Sequence, residues 1–252
     1  MTTSALLDVR GLSRNFGAVM AAADINVSVS AGEIVGIVGA NGAGKTVFLN
    51  LITGYLRPTT GTVFFQGQDI TGLQPRQITR LGICRSFQMS QLFINMTVFE
   101  NLLLAAAISH ESNFLRDIRS SKKVGDVDRT LREFRLHDRR DQLVRELPQG
   151  LRKLLDIAMA MISNPSLVML DEPTSGISTE EKFDFMEALM TVLAKSSTTI
   201  FIIEHDMDLI QRFTTRVLAF AYGRIICDGS AEDTLRDPRV VQHVLGGDSA
   251  LD

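Results

Sequence analysis

The sequence predicts an α/β protein with a mostly parallel core sheet, an antiparallel β part and an inserted helical segment. Three observations carry this reading. Glu33–Gly39, Ser166–Glu172 and Thr198–His205 are short, continuous apolar runs ending in polar residues or glycine. Strands covered on both faces of a parallel sheet have that pattern. Leu7–Val9 and the series Ile25, Val27, Val29 alternate with period two, as half-buried antiparallel strands do. From about Ser90 to Ser163 no strong strand pattern occurs.

Taken in order, the elements fit this plan. Thr62–Phe65, followed by Gly67, adds a strand and a turn to the antiparallel part, and Lys45–Thr53, closed by Gly54, is predicted as a helix. In the middle segment, helices are predicted over Val98–Ile108, Val127–Phe134 and Leu151–Ile162, around the polar stretch His110–Asp126. Val217–Tyr222, Gly223 and Arg224–Asp228 predict a hairpin. A last helix starts at Ser230, with Glu232 and Asp233 placed to complement its dipole. The expected organisation is a single domain over residues 1–252. Its core comprises about 1–89 and 164–228, with a helical lobe over 90–163 and a tail over 229–252.

The composition is that of an ordinary globular protein, 45% hydrophobic and 22% charged. A net charge of −3 argues against a broad nucleic-acid footprint, which needs a basic excess. Cys84 and Cys227 each sit in an apolar stretch without metal-ligand spacing. Counting leaves a disulfide open, but two buried free thiols in a reducing compartment are expected. Met1 to Arg10 has no basic segment followed by an apolar one, so no signal peptide is expected. The runs Leu102–Ile108 and Val217–Tyr222 fall short of the roughly 20 residues that a membrane span needs. A cytosolic chain is expected, reaching a membrane only through a partner.

The strongest chemical signal is Gly39-Ala40-Asn41-Gly42-Ala43-Gly44-Lys45-Thr46, which fits the Walker A phosphate-loop pattern. Its glycines let backbone N–H groups turn inward around phosphate oxygens. Lys45 is placed to reach the β- and γ-phosphates and the Thr46 hydroxyl to ligate Mg2+. A strand precedes the loop and a helix follows, so the helix N-terminus faces the phosphates. Chance gives this pattern in such a chain on the order of one time in a hundred. Lys45 is expected to face solvent when no nucleotide is bound. Downstream, Leu167–Leu170 delivers Asp171 and Glu172 to the C-terminal end of a buried strand, where α/β proteins place ligands. Asp171 is expected to hold Mg2+ through water, and Glu172 to polarise the attacking water as general base.

Between and after these motifs stand Arg85-Ser-Phe-Gln88 and Ile202-Ile-Glu-His205. Their order and spacing resemble the ATP-binding subunits of ABC transporters, over essentially the whole chain. The resemblance implies the ABC ATPase form of the P-loop fold, with ATP and Mg2+ as cofactors. Gln88 matches the family's Q-loop glutamine, expected in the catalytic set and near the metal. His205 matches the switch histidine, although alone it would read as a structural histidine at a strand end. Phe16 stands where the family's adenine-stacking aromatic does; taken alone it would read as a core residue. Phe16-Gly17, Gly82 to Gln88, Leu92-Phe93, Met96-Thr97-Val98, Glu100-Asn101, Ile203 to Met207 and Asp237-Pro238…Val241…Leu245-Gly246 are similar to the branch that imports branched-chain and other hydrophobic amino acids. Relatives in that branch also handle urea, amides and other small acids.

Three positions depart from the family pattern. The signature loop, usually Leu-Ser-Gly-Gly-Gln, aligns with Leu147-Pro148-Gln149-Gly150-Leu151. In the family it caps the partner subunit's γ-phosphate. Pro148 suits a helix start but lacks the serine hydroxyl and an N–H. Val47 replaces a second hydroxyl after Lys45-Thr46 while keeping its backbone N–H, and Ser178 stands where an aspartate is usual. The resemblance implies a homodimer or a heterodimer with a related ATPase chain, beneath two integral membrane permease subunits. A solute-binding protein acts indirectly, and the site of action is the cytoplasmic face of the inner membrane. The rival reading within the superfamily is an ATPase acting on nucleic acid or ribosomes. A self-contained P-loop kinase lies further off.

Overall fold

The computed structural model describes residues 5–86, 92–109, 121–244 and 246. Along the chain, β1 (Leu7–Phe16), β2 (Val19–Val29) and β3 (Ile34–Gly39) precede α1 (Lys45–Ile52). Next come β4 (Thr60–Phe65), β5 (Gln68–Asp69), α2 (Pro75–Arg80) and β6 (Ile83–Ser86). The helices α3 (Val98–Ser109), α4 (Ser121–Glu133) and α5 (Gln149–Met161) lead to β7 (Leu167–Asp171) and α6 (Lys182–Leu193). The remainder is β8 (Thr199–Ile203), α7 (Met207–Phe213), β9 (Arg216–Ala221), β10 (Arg224–Gly229), α8 (Ala231–Arg236) and α9 (Pro238–His243). The chain forms two compact units, one of Met1–Leu81 with Thr199–Asp252, the other of Gly82–Thr198.

The first unit holds an antiparallel sheet in the order β2-β1-β4-β5. Its register pairs Leu7 with Val29 and Phe65, and Val9 with Val27 and Val63. All six are buried, so the period-two pattern marks one inward face. Beside it in the sequence lies the parallel part, where β3 runs between β8 and β9, and β10 pairs antiparallel with β9. β3 is buried along nearly its whole length, as a strand with helices or sheet on both sides must be. Phe48 of α1 packs on Phe220 of β9, ring centroids 5.2 Å apart. Arg216 grips Asp228 with two hydrogen bonds, at 2.7 and 2.8 Å, and reaches Glu33 at 2.9 Å. This ties the hairpin to the residue before β3.

The second unit pairs β6 with β7 in parallel, Ile83 beside Leu167 and Ser86 beside Leu170, together with α3, α4, α5 and α6. Thr97 and Glu100 form a capping box at the start of α3: the Thr97 N–H donates to Glu100 at 2.8 Å and the Glu100 N–H to the Thr97 hydroxyl at 3.1 Å. Asn101, fully buried, bonds both backbone groups of Phe93 and the carbonyl of Thr97. The Thr97 to Asn101 motif is thus a stop that fixes how the chain enters the helix.

Strand β6 was not anticipated as a strand, because Ile83-Cys84-Arg85-Ser86 is short and carries a charge. Cys84 is buried and free, and burial pushes its thiol pKa up despite a contact with Ser163. Cys227 is free as well but only half-buried, contrary to expectation. It lies on β10, which has no buried residue, and its thiol meets Asp237 at 3.5 Å and Thr234 at 3.9 Å.

Candidate functional site

In the first unit, β3 ends at Gly39 and the chain turns through Ala40 to Gly44 into α1. Gly44 caps the helix in a left-handed conformation, φ 105°, and no side chain caps it. A Cβ there would lie 2.9 Å from the Ala21 carbonyl oxygen, so only glycine fits. The turn between β9 and β10 braces the loop from behind: the Gly223 N–H donates to Ala43 at 2.9 Å, and the Ala23 N–H to Gly223 at 2.8 Å. Ala40, Asn41, Gly42 and Thr46 are exposed, Val47 is half-buried and Ala43 is buried. The result is a braced loop leading into a helix N-terminus that no side chain caps, the arrangement that receives phosphate.

Lys45 is not solvent-facing. It is buried, and its ammonium donates to the carbonyls of Gly39 and, at 3.1 Å, Ala40. The physical reason is local. The two carbonyls lie within reach of the side chain, so the loop's own backbone solvates the charge instead of water.

Two other predicted residues share this unit. Phe16 is 44% exposed, with the Arg14 guanidinium 4.7 Å from its ring centre. It pairs with Val19 across the hairpin, two residues along β2 from Ala21, whose carbonyl oxygen a Cβ on Gly44 would meet. His205 is exposed in the turn after β8. Ile203, two residues before it, is in register with Ile37, two residues before Gly39. The His205 N–H donates to Glu204 at 3.3 Å.

In the second unit, β7 is buried throughout and ends in Asp171, which pairs with Arg85 of β6. Glu172 is half-buried and takes φ 50°, uncommon for a non-glycine residue. Its carbonyl accepts from the Ser175 N–H at 3.0 Å and the buried Lys153 ammonium at 3.3 Å. Non-glycine residues held in this conformation cluster at functional positions. Lys153 lies on α5, whose start is the signature-like loop. Leu147 there is buried, while Pro148 and Gln149 are exposed and Gly150 is half-buried.

Pro148 is the N-cap of α5, one step outside the first turn where it was expected, with φ −54° and ψ 154°. It accepts the first helical bond, from the Arg152 N–H at 3.1 Å. The Gln149 amide rests against Gly176, where a Cβ would lie 1.9 Å from Gln149 Nε2. The residue that replaces the first family glycine is therefore folded onto the loop after β7. Ser178 donates to Glu181 at 2.8 Å. Gln88 lies outside the described residues.

Among the described residues no group of three or more His, Cys, Asp or Glu side chains could hold a metal. Asp171 and Glu172 follow one another at the end of β7, and carboxylates in that number suit Mg2+, which is commonly bound by one or two of them together with substrate phosphates and water. Sequence reasoning missed Arg85 as the partner of Asp171 and Lys153 as that of Glu172. A charge inside an apolar strand, two residues before Phe87-Gln88, was the available signal for Arg85.

Residues 22–175 match the family described as ABC transporter. The chain is 35% identical over 246 residues to the probable branched-chain amino acid transport ATP-binding protein LivG of Archaeoglobus fulgidus, covering 96% of this chain and 95% of that one. It is 33% identical over 249 residues to the high-affinity branched-chain amino acid transport ATP-binding protein LivG of Escherichia coli, covering 96% and 98%. Among solved structures, a nucleotide-free ATP-binding cassette from an ABC transporter is similar with a TM-score of 0.84 and 30% identity, over 94% of this chain and 98% of that one. By sequence over nearly its full length and by fold, this chain belongs to the ABC transporter family, as one of its ATP-binding subunits.

Proposed function

We propose that this subunit hydrolyses ATP to drive import of branched-chain amino acids or a related small solute. The observation that carries the chemistry is the braced loop Gly39–Thr46, with Lys45 turned into it at the uncapped N-terminus of α1. The cargo class is supported by the names of the two LivG relatives. The nucleic-acid alternative lacks a basic charge balance, and the two relatives above are named for amino-acid transport.

In this reading the loop N–H groups and Lys45 bind the β- and γ-phosphates, and Phe16 stacks on adenine. Thr46, Asp171 through water, and Gln88 are the residues that would hold Mg2+, whose charge would offset that of the phosphates. Glu172 takes the proton of the attacking water, and His205 orients the γ-phosphate. Leu147, Pro148, Gln149 and Gly150 serve the nucleotide of a second ATPase subunit, identical or related. The pair works on permease subunits at the cytoplasmic face of the membrane, supplied by a solute-binding protein. Among the described residues no helix is long and apolar enough to cross a membrane.

Glu172→Gln tests the reading. Hydrolysis by the partner-bound protein is expected to fall at least roughly 10²-fold, the order associated with a general base, with ATP affinity retained. Turnover near that of the wild type would remove Glu172 from this role.

A further inference from the structure

Arg85 sits between buried Cys84 and buried Ser86 on β6. A guanidinium in such a place needs a partner. It has one in Asp171: Arg85 Nη2 donates to Asp171 Oδ2, and the two side chains are 8% and 9% exposed. The register sets Arg85 beside Met169, so the guanidinium reaches toward the C-terminal end of β7 to meet a carboxylate two residues on. Stability alone is a weak reason for this pair, because apolar residues of similar volume commonly do as well. The carboxylate it holds is the one assigned above to Mg2+.

We propose that Arg85 is a resident counter-ion of Asp171, a positioning residue that fixes the carboxylate and competes with the divalent cation for it. The inference rests on the reading of Asp171 as the Mg2+ carboxylate. A guanidinium and a divalent cation drawn to one buried carboxylate repel each other, and the repulsion is substantial even at an effective dielectric of about 20. Mg2+ arriving with nucleotide must therefore take Asp171 from Arg85 or share it at a penalty. The metal dependence of nucleotide binding is thereby set lower than the loop and the carboxylate alone would give.

The test is ADP affinity of the full chain by calorimetry, with Mg2+ and with EDTA, the ratio of the two affinities being the readout. Arg85→Met is expected to raise that ratio on the order of tenfold. Arg85→Gln, also neutral but able to hydrogen-bond, is expected to raise it too and serves if the first variant does not fold. Arg85→Lys keeps the charge and should keep the ratio near that of the wild type. Asp171→Asn should lower the ratio. If Asp171→Asn lowers it while both neutral Arg85 variants leave it unchanged or reduced, the counter-ion proposal is overturned and the metal reading stands. If Asp171→Asn leaves the ratio untouched, the metal reading falls and this proposal falls with it.

Discussion

At the scale of single residues, the polar groups of this protein are held by backbone as much as by one another. Lys45 lies on the carbonyls of Gly39 and Ala40, and Lys153 on the carbonyl of Glu172. Lys45→Ala removes the only loop cation assigned to the γ-phosphate and leaves those two carbonyls without their ammonium. Hydrogen bonds to charged groups contribute about 1.5–3 kcal/mol each, so two lost contacts to nucleotide weaken ATP binding by roughly 10²-fold or more. Calorimetry with Mg2+ present measures this; unchanged affinity would remove the phosphate-binding role from the loop. The unliganded variant is expected to lose local order around Gly39–Gly44 as well, visible as faster amide exchange there. The sequence located Lys45 by its spacing from the glycines, but its burial follows from a loop conformation that spacing does not encode. Arg85 and Lys153 escaped notice for a related reason: their partners are 86 and 19 residues away.

At the scale of elements, periodicity and apolar runs marked most of what forms. β3, β7 and β8 fall within the three apolar runs, and the alternating positions of β1 and β2 form one buried face. The signature-like helix α5 begins two residues earlier than its apolar pattern suggested, because Gln149 and Gly150 continue the helix from a proline N-cap. Apolar periodicity is silent on polar first-turn residues. No side chain caps this helix, so Pro148→Ser adds both a cap, worth about 1 kcal/mol, and a hydroxyl for a partner's γ-phosphate. The isolated chain carrying Glu172→Gln is expected to sediment mainly as a monomer with ATP and Mg2+. Adding Pro148→Ser should shift it toward an ATP-dependent dimer at matched concentration. A tight dimer with Pro148 intact would show that the missing hydroxyl matters little.

At the scale of the molecule, the chemistry is divided between the two compact units. One carries the phosphate loop, Phe16 and His205; the other carries Asp171, Glu172 and the signature-like loop. The sequence suggests a lobe of helices over 90–163; the compact unit that contains it spans Gly82–Thr198 and includes β6 and β7, because strand pairing between residues 83 and 167 joins segments that local pattern treats separately. The family, by contrast, was carried by motif order, which survives departures at Val47, Pro148 and Ser178. The central claim is that ATP spent by this chain moves a solute across a membrane. The most direct measurement is uptake of labelled leucine, isoleucine and valine by proteoliposomes holding the chain with the membrane subunits that copurify with it. Uptake that requires ATP and disappears with Glu172→Gln is the predicted result. ATP hydrolysis that ignores those subunits and rises on adding DNA or RNA, with no solute moved, would contradict it.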